Sequence, residues 1–207
     1  MNLNWIGFDK DTDLNFWIQK ALEFNRFIIK NRYYLIQNME INFTQAKKSE
    51  LKEALSFFKL ASQSLSEKQV SQWSYWVDPP EEKINWVKEG FNNGEFFFVS
   101  DNSGNKIAMF RLLEKDTLYW DEKGTEKNTR YIHSLVVPPT YAGKGIGKAV
   151  LHKIIDQLKQ LNIEKLRLDC DGSNQRLCQY YESYGFINVG KKTTNYAVNN
   201  LYEMLLT

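Results

Sequence analysis

Residues 137–149 read Val137-Pro138-Pro139-Thr140-Tyr141-Ala142-Gly143-Lys144-Gly145-Ile146-Gly147-Lys148-Ala149. A strand-like stretch runs into alternating glycines, and the glycines open an amphipathic helix. Such a turn presents several main-chain N–H groups at the positive end of a helix dipole, which suits a phosphate. Glycine matters there because a side chain would keep the backbone away from the anion. Two familiar phosphate loops do not fit. The P-loop needs Gly at the place of Ala142 and Ser or Thr at the place of Ala149. The dinucleotide fingerprint, started at Gly143, meets Lys148 where its third glycine belongs.

Outward from this turn, strands and helices alternate. Upstream lies a strand over 130–137, in which alternation puts Tyr131, His133, Leu135 and Val137 on one face. Downstream, a helix over 145–161 carries Leu151, Ile154, Ile155 and Leu158 on one side, followed by a strand over 164–170, a helix over 174–184 closed by Gly185, and strands near 186–190 and 200–206. Further upstream, Ser49 is the expected cap of a helix bearing Leu51, Ala54, Leu55 and Phe58. Asp78-Pro79-Pro80-Glu81 reads as a second helix start, with Asp78 as cap. Phe96–Val99 and Ile107–Leu113 flank the turn residues 101–105 as a hairpin, and 121–129 reads as a polar loop. The pattern predicts an α/β (α+β) fold built on one sheet of mixed direction. Residues 1–38 read as a helical extension, with Leu14, Trp17, Ile18, Ala21, Phe24 and Ile28 at helical spacing, and 39–207 as one compact domain.

Composition narrows the function classes. In 207 residues, 27 Lys and Arg face 25 Asp and Glu, a net charge of +2, which disfavours a dedicated nucleic-acid binder. Hydrophobic residues make up 43% and charged ones 25%, which is globular rather than disordered. Cys170 and Cys178 can make neither a disulfide framework nor a Cys-x-x-Cys metal site, and are read as free thiols in a reducing compartment. Asp9, Asp11 and Asp13 stand where a signal peptide would be basic, and no apolar run reaches the ~20 residues of a spanning helix. The expectation is a cytoplasmic protein with neither a membrane nor a nucleic-acid partner.

Val137-x-Pro139-x-Tyr141-x-Gly143-Lys144-Gly145-Ile146-Gly147 resembles motif A of the GNAT N-acetyltransferases, Gln/Arg-x-x-Gly-x-Gly/Ala, with Gly145 and Gly147 on the two glycine positions and Ala142 in place of Gln or Arg. Asn174 through Phe186, an Asn opening a helix that ends Tyr181-x-x-x-Gly185-Phe186, resembles motif B. The two occur in the right order with room for one helix and one strand between them. The resemblance covers roughly 39–207 and implies the single-domain GNAT fold, a mixed and mostly antiparallel sheet with splayed middle strands, flanked by helices.

It also implies acetyl-CoA as cosubstrate, an amine acceptor, no metal, and a monomer or homodimer. By resemblance, main-chain amides of Ala142, Gly143, Lys144, Gly145, Ile146, Gly147 and Lys148 hold the pyrophosphate. The pantetheine arm lies along Leu135, Val136 and Val137 as an added strand, and the Val137 amide faces the acetyl carbonyl. Tyr181 matches the tyrosine that often protonates or hydrogen-bonds the leaving thiolate; it also falls on the apolar stripe Leu177, Cys178, Tyr181, Tyr184, which by pattern alone reads as core. Asn174 caps its helix, and either reaches the cofactor arm as well or is a cap alone.

Family members often place a Glu on the strand that here carries Tyr131 and His133. His133 titrates near neutral pH as a base must, and Asp169, Asp171 and Glu203 stand in reserve. A hydrogen-bonded, half-buried histidine is the alternative. Trp73, Trp76 and Tyr131 are the acceptor-pocket candidates, with Tyr75, Tyr119 and Trp120 near in sequence; tryptophans that fill the core are the plainer reading. The leading function is acetyl transfer to a small primary amine by direct attack in a ternary complex. Transfer to a protein N-terminus or lysine, a non-catalytic acyl-CoA sensor, and an interaction domain that uses residues 1–38 remain alongside it.

Overall fold

The computed structural model of the chain describes residues 10–37, 39–70 and 72–206. It divides into two compact units, one ending at Met39 and the other running from Glu40. The first unit holds a long helix, α1 (Lys10–Gln37), in which Lys20 pairs with Glu23 at 3.0 Å one turn away.

The second unit is built on one seven-stranded sheet. Its strands are β1 (Asn42–Gln45), β2 (Phe96–Ser100), β3 (Lys106–Leu113), β4 (Thr129–Val136), β5 (Lys165–Asp171), β6 (Ile187–Thr193) and β7 (Val198–Leu205). They lie in the order β1-β2-β3-β4-β5-β7-β6, with every neighbouring pair antiparallel except β4 and β5. The helices are α2 (Leu51–Glu67), α3 (Glu81–Asn92), the single turn α4 (Thr117–Trp120), α5 (Ile146–Gln160) and α6 (Gln175–Glu182). The mixed, mostly antiparallel sheet flanked by helices agrees with the sequence reading.

Several helix starts differ from that reading. Ser49 does not cap α2. A short turn at Lys48–Glu50 leads in, and the Glu50 carboxylate accepts the Lys47 amide at 2.7 Å while also pairing with Lys106 at 2.6 Å. Helix α3 begins at Glu81, with Pro80 in extended geometry before it and no side-chain cap from Asp78. The proline pair bears on this: Pro80 disfavours helical geometry at Pro79, so Pro79 cannot serve as the first helical residue. The polar stretch around 121–129 is not all loop. Asp116 Oδ1 accepts the Tyr119 amide at 3.3 Å to start α4, and a further helical turn follows at Asp121–Thr125.

One side of the sheet is covered by an aromatic cluster. Phe58 on α2 stacks on Trp76 with ring centroids 4.0 Å apart, and Phe96, Phe98, Met109 and Val136 pack beneath them. Arg111 is buried in the same region. Its Nε and Nη2 donate to Glu95 Oε2 at 2.9 and 2.5 Å, Nη1 donates to the Trp86 carbonyl, and the guanidinium lies 4.1 Å from the Trp86 ring centroid. Helix α5 buries Val150, Leu151, Ile154 and Leu158 along one stripe.

Two irregularities open the middle of the sheet. Strands β4 and β5 pair only from Thr129–Lys165 to Ile132–Leu168, although both strands continue. On its other side, β4 meets β3 through Arg111–His133 and then Met109–Val136, so Ser134 and Leu135 together face Phe110. This is a bulge, and Ser134 takes the left-handed value φ +53° at it. The expected alternation therefore fails after His133: Val136, not Leu135, returns to the face shared by Tyr131 and His133.

Candidate active site

Where β4 and β5 part, a cavity of about 1010 Å³ opens. Ile132, His133, Ser134 and Leu135 line it from β4, and Asp169, Cys170 and Asp171 from β5. Asn174, Leu177 and Tyr181 approach from α6 and its start, Lys83 and Trp86 from α3, Trp73 to Trp76 from the segment before α3, and Tyr196 from the turn between β6 and β7.

His133 is the most constrained side chain here. Its Nε2 lies 2.9 Å from Asp116 Oδ2 and its Nδ1 3.1 Å from Asp169 Oδ1, with all three side chains at most 9% exposed. Burial alone would favour the neutral ring, but the two carboxylates outweigh it and raise the pKa to about 10. Both ring nitrogens face carboxylates, which favours the imidazolium over a free base. Asp169 holds its own position through Oδ2, which accepts from Asn199 Nδ2 at 2.5 Å. Its Oδ1 is buried, faces His133 at ion-pair distance, and accepts no well-directed hydrogen bond from a described residue.

Tyr181 lines the cavity half-buried, its ring set against Phe186 and Tyr202 at centroid distances of 5.9 and 6.2 Å. Burial first, then the neighbouring Cys170 and Asp169, push its phenol well above the usual range, so it holds its proton. Asn174 does both things expected of it locally. Its Oδ1 accepts the Leu177 amide at 3.1 Å as the cap of α6, and its Nδ2 donates to Gln72 Oε1 at 2.7 Å on the cavity wall.

The glycine turn lies outside the lining of that cavity. Gly143 and Gly145 adopt φ +75° and +81°, and Gly145 is the residue from which α5 departs. A Cβ on Gly147 would come within 3.1 Å of Tyr180 Oη, so the helix start packs closely against α6. The first amides of any helix lack an intrahelical carbonyl, which leaves this turn suited to an anion. Lys144 Nζ lies 5.1 Å from the Tyr141 ring centroid beside it.

Of the acceptor-pocket candidates, Trp73 and Trp76 reach the cavity and Tyr131 does not. Tyr131 is fully buried; its hydroxyl donates to the Lys123 carbonyl at 2.6 Å and accepts from Arg167 Nη1 at 3.2 Å. The turn at Asp121–Thr125 brings that carbonyl over β4, which a sequence read as open loop could not show. Glu203 is likewise spent on Arg167, at 2.7 Å, while Asp171 lines the cavity and accepts the Ser173 amide and hydroxyl.

A family model described as Acetyltransferase (GNAT) family matches residues 62–186, more than half of the chain. The chain belongs to the GNAT acetyltransferase family. It is an N-acetyltransferase, of a family that uses acetyl-CoA. A spermidine N(1)-acetyltransferase of Vibrio cholerae is 25% identical over 142 residues, spanning 63% of this chain and 74% of that protein. The [ribosomal protein bS18]-alanine N-acetyltransferase of Escherichia coli K12 is 27% identical over 120 residues, 55% of this chain and 72% of that one. A GNAT-family acetyltransferase structure from Listeria monocytogenes superposes with a TM-score of 0.66 at 20% identity, covering 81% of this chain and 95% of that one.

In this GNAT domain, Asp116, Lys83, Trp86 and Tyr196 join the site although sequence reasoning did not select them. Asp116 carried one usable signal, an acidic residue followed by Thr117 at a helix start. The others come from elements far apart in the chain and had none.

Proposed function

We propose that this enzyme moves an acetyl group from acetyl-CoA to the primary amine of a small molecule, by direct attack in a ternary complex. The observation that carries this reading is the parted β4–β5 seam, with Asp169 on one strand, Leu135 on the other, and Tyr181 beside them on one cavity. Beyond Ile132 the β4 edge facing β5 has no ladder partner, so an extended pantetheine arm has main-chain groups to pair with along Leu135, Val136 and Val137.

The amides of Gly143, Lys144, Gly145, Ile146, Gly147 and Lys148 take the pyrophosphate, whereas the Ala142 amide donates to the Pro139 carbonyl at 3.0 Å, and Asn174 flanks the arm. The Val137 amide polarises the acetyl carbonyl. The Asp169 carboxylate receives the N–H of the neutral amine and takes its proton as the C–N bond forms, while the His133 imidazolium behind it fixes the carboxylate. As the C–S bond breaks, the Tyr181 phenol, still protonated, donates to the thiolate and gives it its proton. Trp73 and Trp76 wall the acceptor end. The two reduced thiols, Cys170 and Cys178, with sulfurs 3.8 Å apart, suit a cytoplasmic enzyme.

Thiol release from acetyl-CoA, measured against a panel of small amines, tests the reading. Amine-dependent release is expected. Tight acetyl-CoA binding without release would make the protein a sensor, and no acetyl-CoA binding by calorimetry would remove the proposal altogether.

A further inference from the structure

Six charged side chains line the cavity: Glu82, Lys83, His133, Asp169, Asp171 and Lys192. Most are already matched. His133 lies between its two aspartates, Asp171 accepts from Ser173, and Lys192 pairs with Asp121 at 2.5 Å. Glu82 accepts the Tyr196 hydroxyl. Asp169 lines the cavity with one oxygen facing His133 at 3.1 Å and the other accepting from Asn199. One group is left over. The Lys83 ammonium has no carboxylate of a described residue within ion-pair distance; it rests on two aromatic faces, 4.2 Å from the Tyr196 ring centroid and 5.0 Å from that of Tyr75.

The arrangement is costly unless something completes it. Half-burial lowers the Lys83 pKa, with Glu82 and Asp169 opposing that effect across the same space. A desolvated ammonium on tyrosine faces is held but not neutralised. A partly desolvated charge without a counter-ion favours any ligand that supplies one. The cavity thus presents a carboxylate, Asp169, near the reacting centre and an unmatched cation, Lys83, at its aromatic end.

We propose that the acceptor is a small amino-acid-like molecule, its amino group meeting Asp169 and its carboxylate meeting Lys83. This rests on the N-acetyltransferase reading above and narrows it to a substrate class. A polyamine would bring a second positive charge towards Lys83, and a peptide N-terminus would offer an amide in place of the carboxylate. Both are disfavoured by the same unmatched ammonium. The Tyr75, Tyr119 and Trp86 rings set the space for an apolar side chain.

The test compares triads that differ only at the carboxyl: phenylalanine, its amide and phenethylamine; leucine, its amide and isoamylamine. kcat/KM is measured by thiol release, with spermidine and an alanyl peptide alongside. The acids are expected to exceed their amides and parent amines at least tenfold. Lys83→Met is expected to bring the acid-to-amide ratio to within threefold of one, and Lys83→Arg to keep most of the preference. Acetyl-CoA affinity by calorimetry reports on folding in each variant. Turnover of amides, polyamine or peptide at least as fast as the acids overturns the inference and leaves acetyl transfer standing. So does acetyl-CoA binding with none of the acids turned over, or a preference that survives Lys83→Met. Failure to bind acetyl-CoA at all would take the function reading down as well.

Discussion

Asp116 Oδ2 stands 2.9 Å from His133 Nε2, and both side chains are buried. The pair joins the helical turn α4 to β4, and through the other ring nitrogen to Asp169 on β5, so one imidazolium ties together three elements around the cavity. Its pKa is raised from 6.5 to about 10. A raised folded-state pKa stabilises the fold fully below the unfolded value and loses that contribution as pH climbs through the folded one. Wild-type stability measured by denaturant should therefore fall from about pH 6.5 towards pH 10 relative to Asp116→Asn, whose His133 keeps only one carboxylate. Parallel pH curves for the two proteins would contradict the pairing.

The same shift bears on kinetics. With His133 protonated through neutrality, the acidic limb of kcat/KM should not track a group near pH 6.5. Asp116→Asn should bring the ring's titration down towards neutral pH, where NMR of the imidazole protons would register it. A wild-type ring that titrates near 6.5 would return His133 to the part of a free base.

Tyr181→Phe removes the phenol proton and little else, since the ring contacts with Phe186 and Tyr202 remain available. Turnover should drop at least several-fold with acetyl-CoA affinity nearly unchanged. Thiol release and calorimetry measure the two separately, and full activity in this variant would take Tyr181 out of the reaction.

Gly145 holds φ +81° at the point where α5 begins. A Cβ in that left-handed geometry costs roughly 1 kcal/mol. Gly145→Ala should show that loss in thermal or denaturant unfolding, and a larger proportional loss in acetyl-CoA affinity, because relaxing the strain re-aims the first amides of the helix. An alanine variant that binds acetyl-CoA as the wild type does would detach the turn from the pyrophosphate.

Glu95→Ala leaves the Arg111 guanidinium, 3% exposed, without its carboxylate. Stranding a buried charge costs about 3 kcal/mol or more. The double variant with Arg111→Met should recover much of the loss, because removing both charges is far milder than removing one. Chemical denaturation decides it; a small effect of the single variant would mean that Trp86 alone carries the cation.

What could be read from the sequence was what local pattern controls. The glycine turn that opens α5 and the helix that follows Asn174 lie close to where the pattern put them, because glycine φ values and helical periodicity are short-range properties. Asn174 as a cap belongs to the same class. The bulge at Ser134 was not legible: serine is no special marker for φ +53°, and the slip follows from how β3 meets β4 across the sheet. The same slip moved Leu135 off the face expected for it. Tyr131 looked like a pocket residue until the carbonyl of Lys123, eight residues away, claimed its hydroxyl. Lys83, Tyr75, Tyr196 and Asp169 come together only through tertiary packing, and no spacing rule joins them.

The two halves of the sheet, β1 to β4 and β5 to β7, adhere along one ladder of four residue pairs, Thr129 to Ile132 with Lys165 to Leu168. Past that ladder the fold is a wedge held at its narrow end. A thioester arm laid between Leu135 and Asp169 would then be a structural member, riveting the wedge while it waits to react. Deuterium uptake at the amides of residues 133–136 and 169–171 should slow when CoA is added. The free enzyme should begin to melt at the seam where it works.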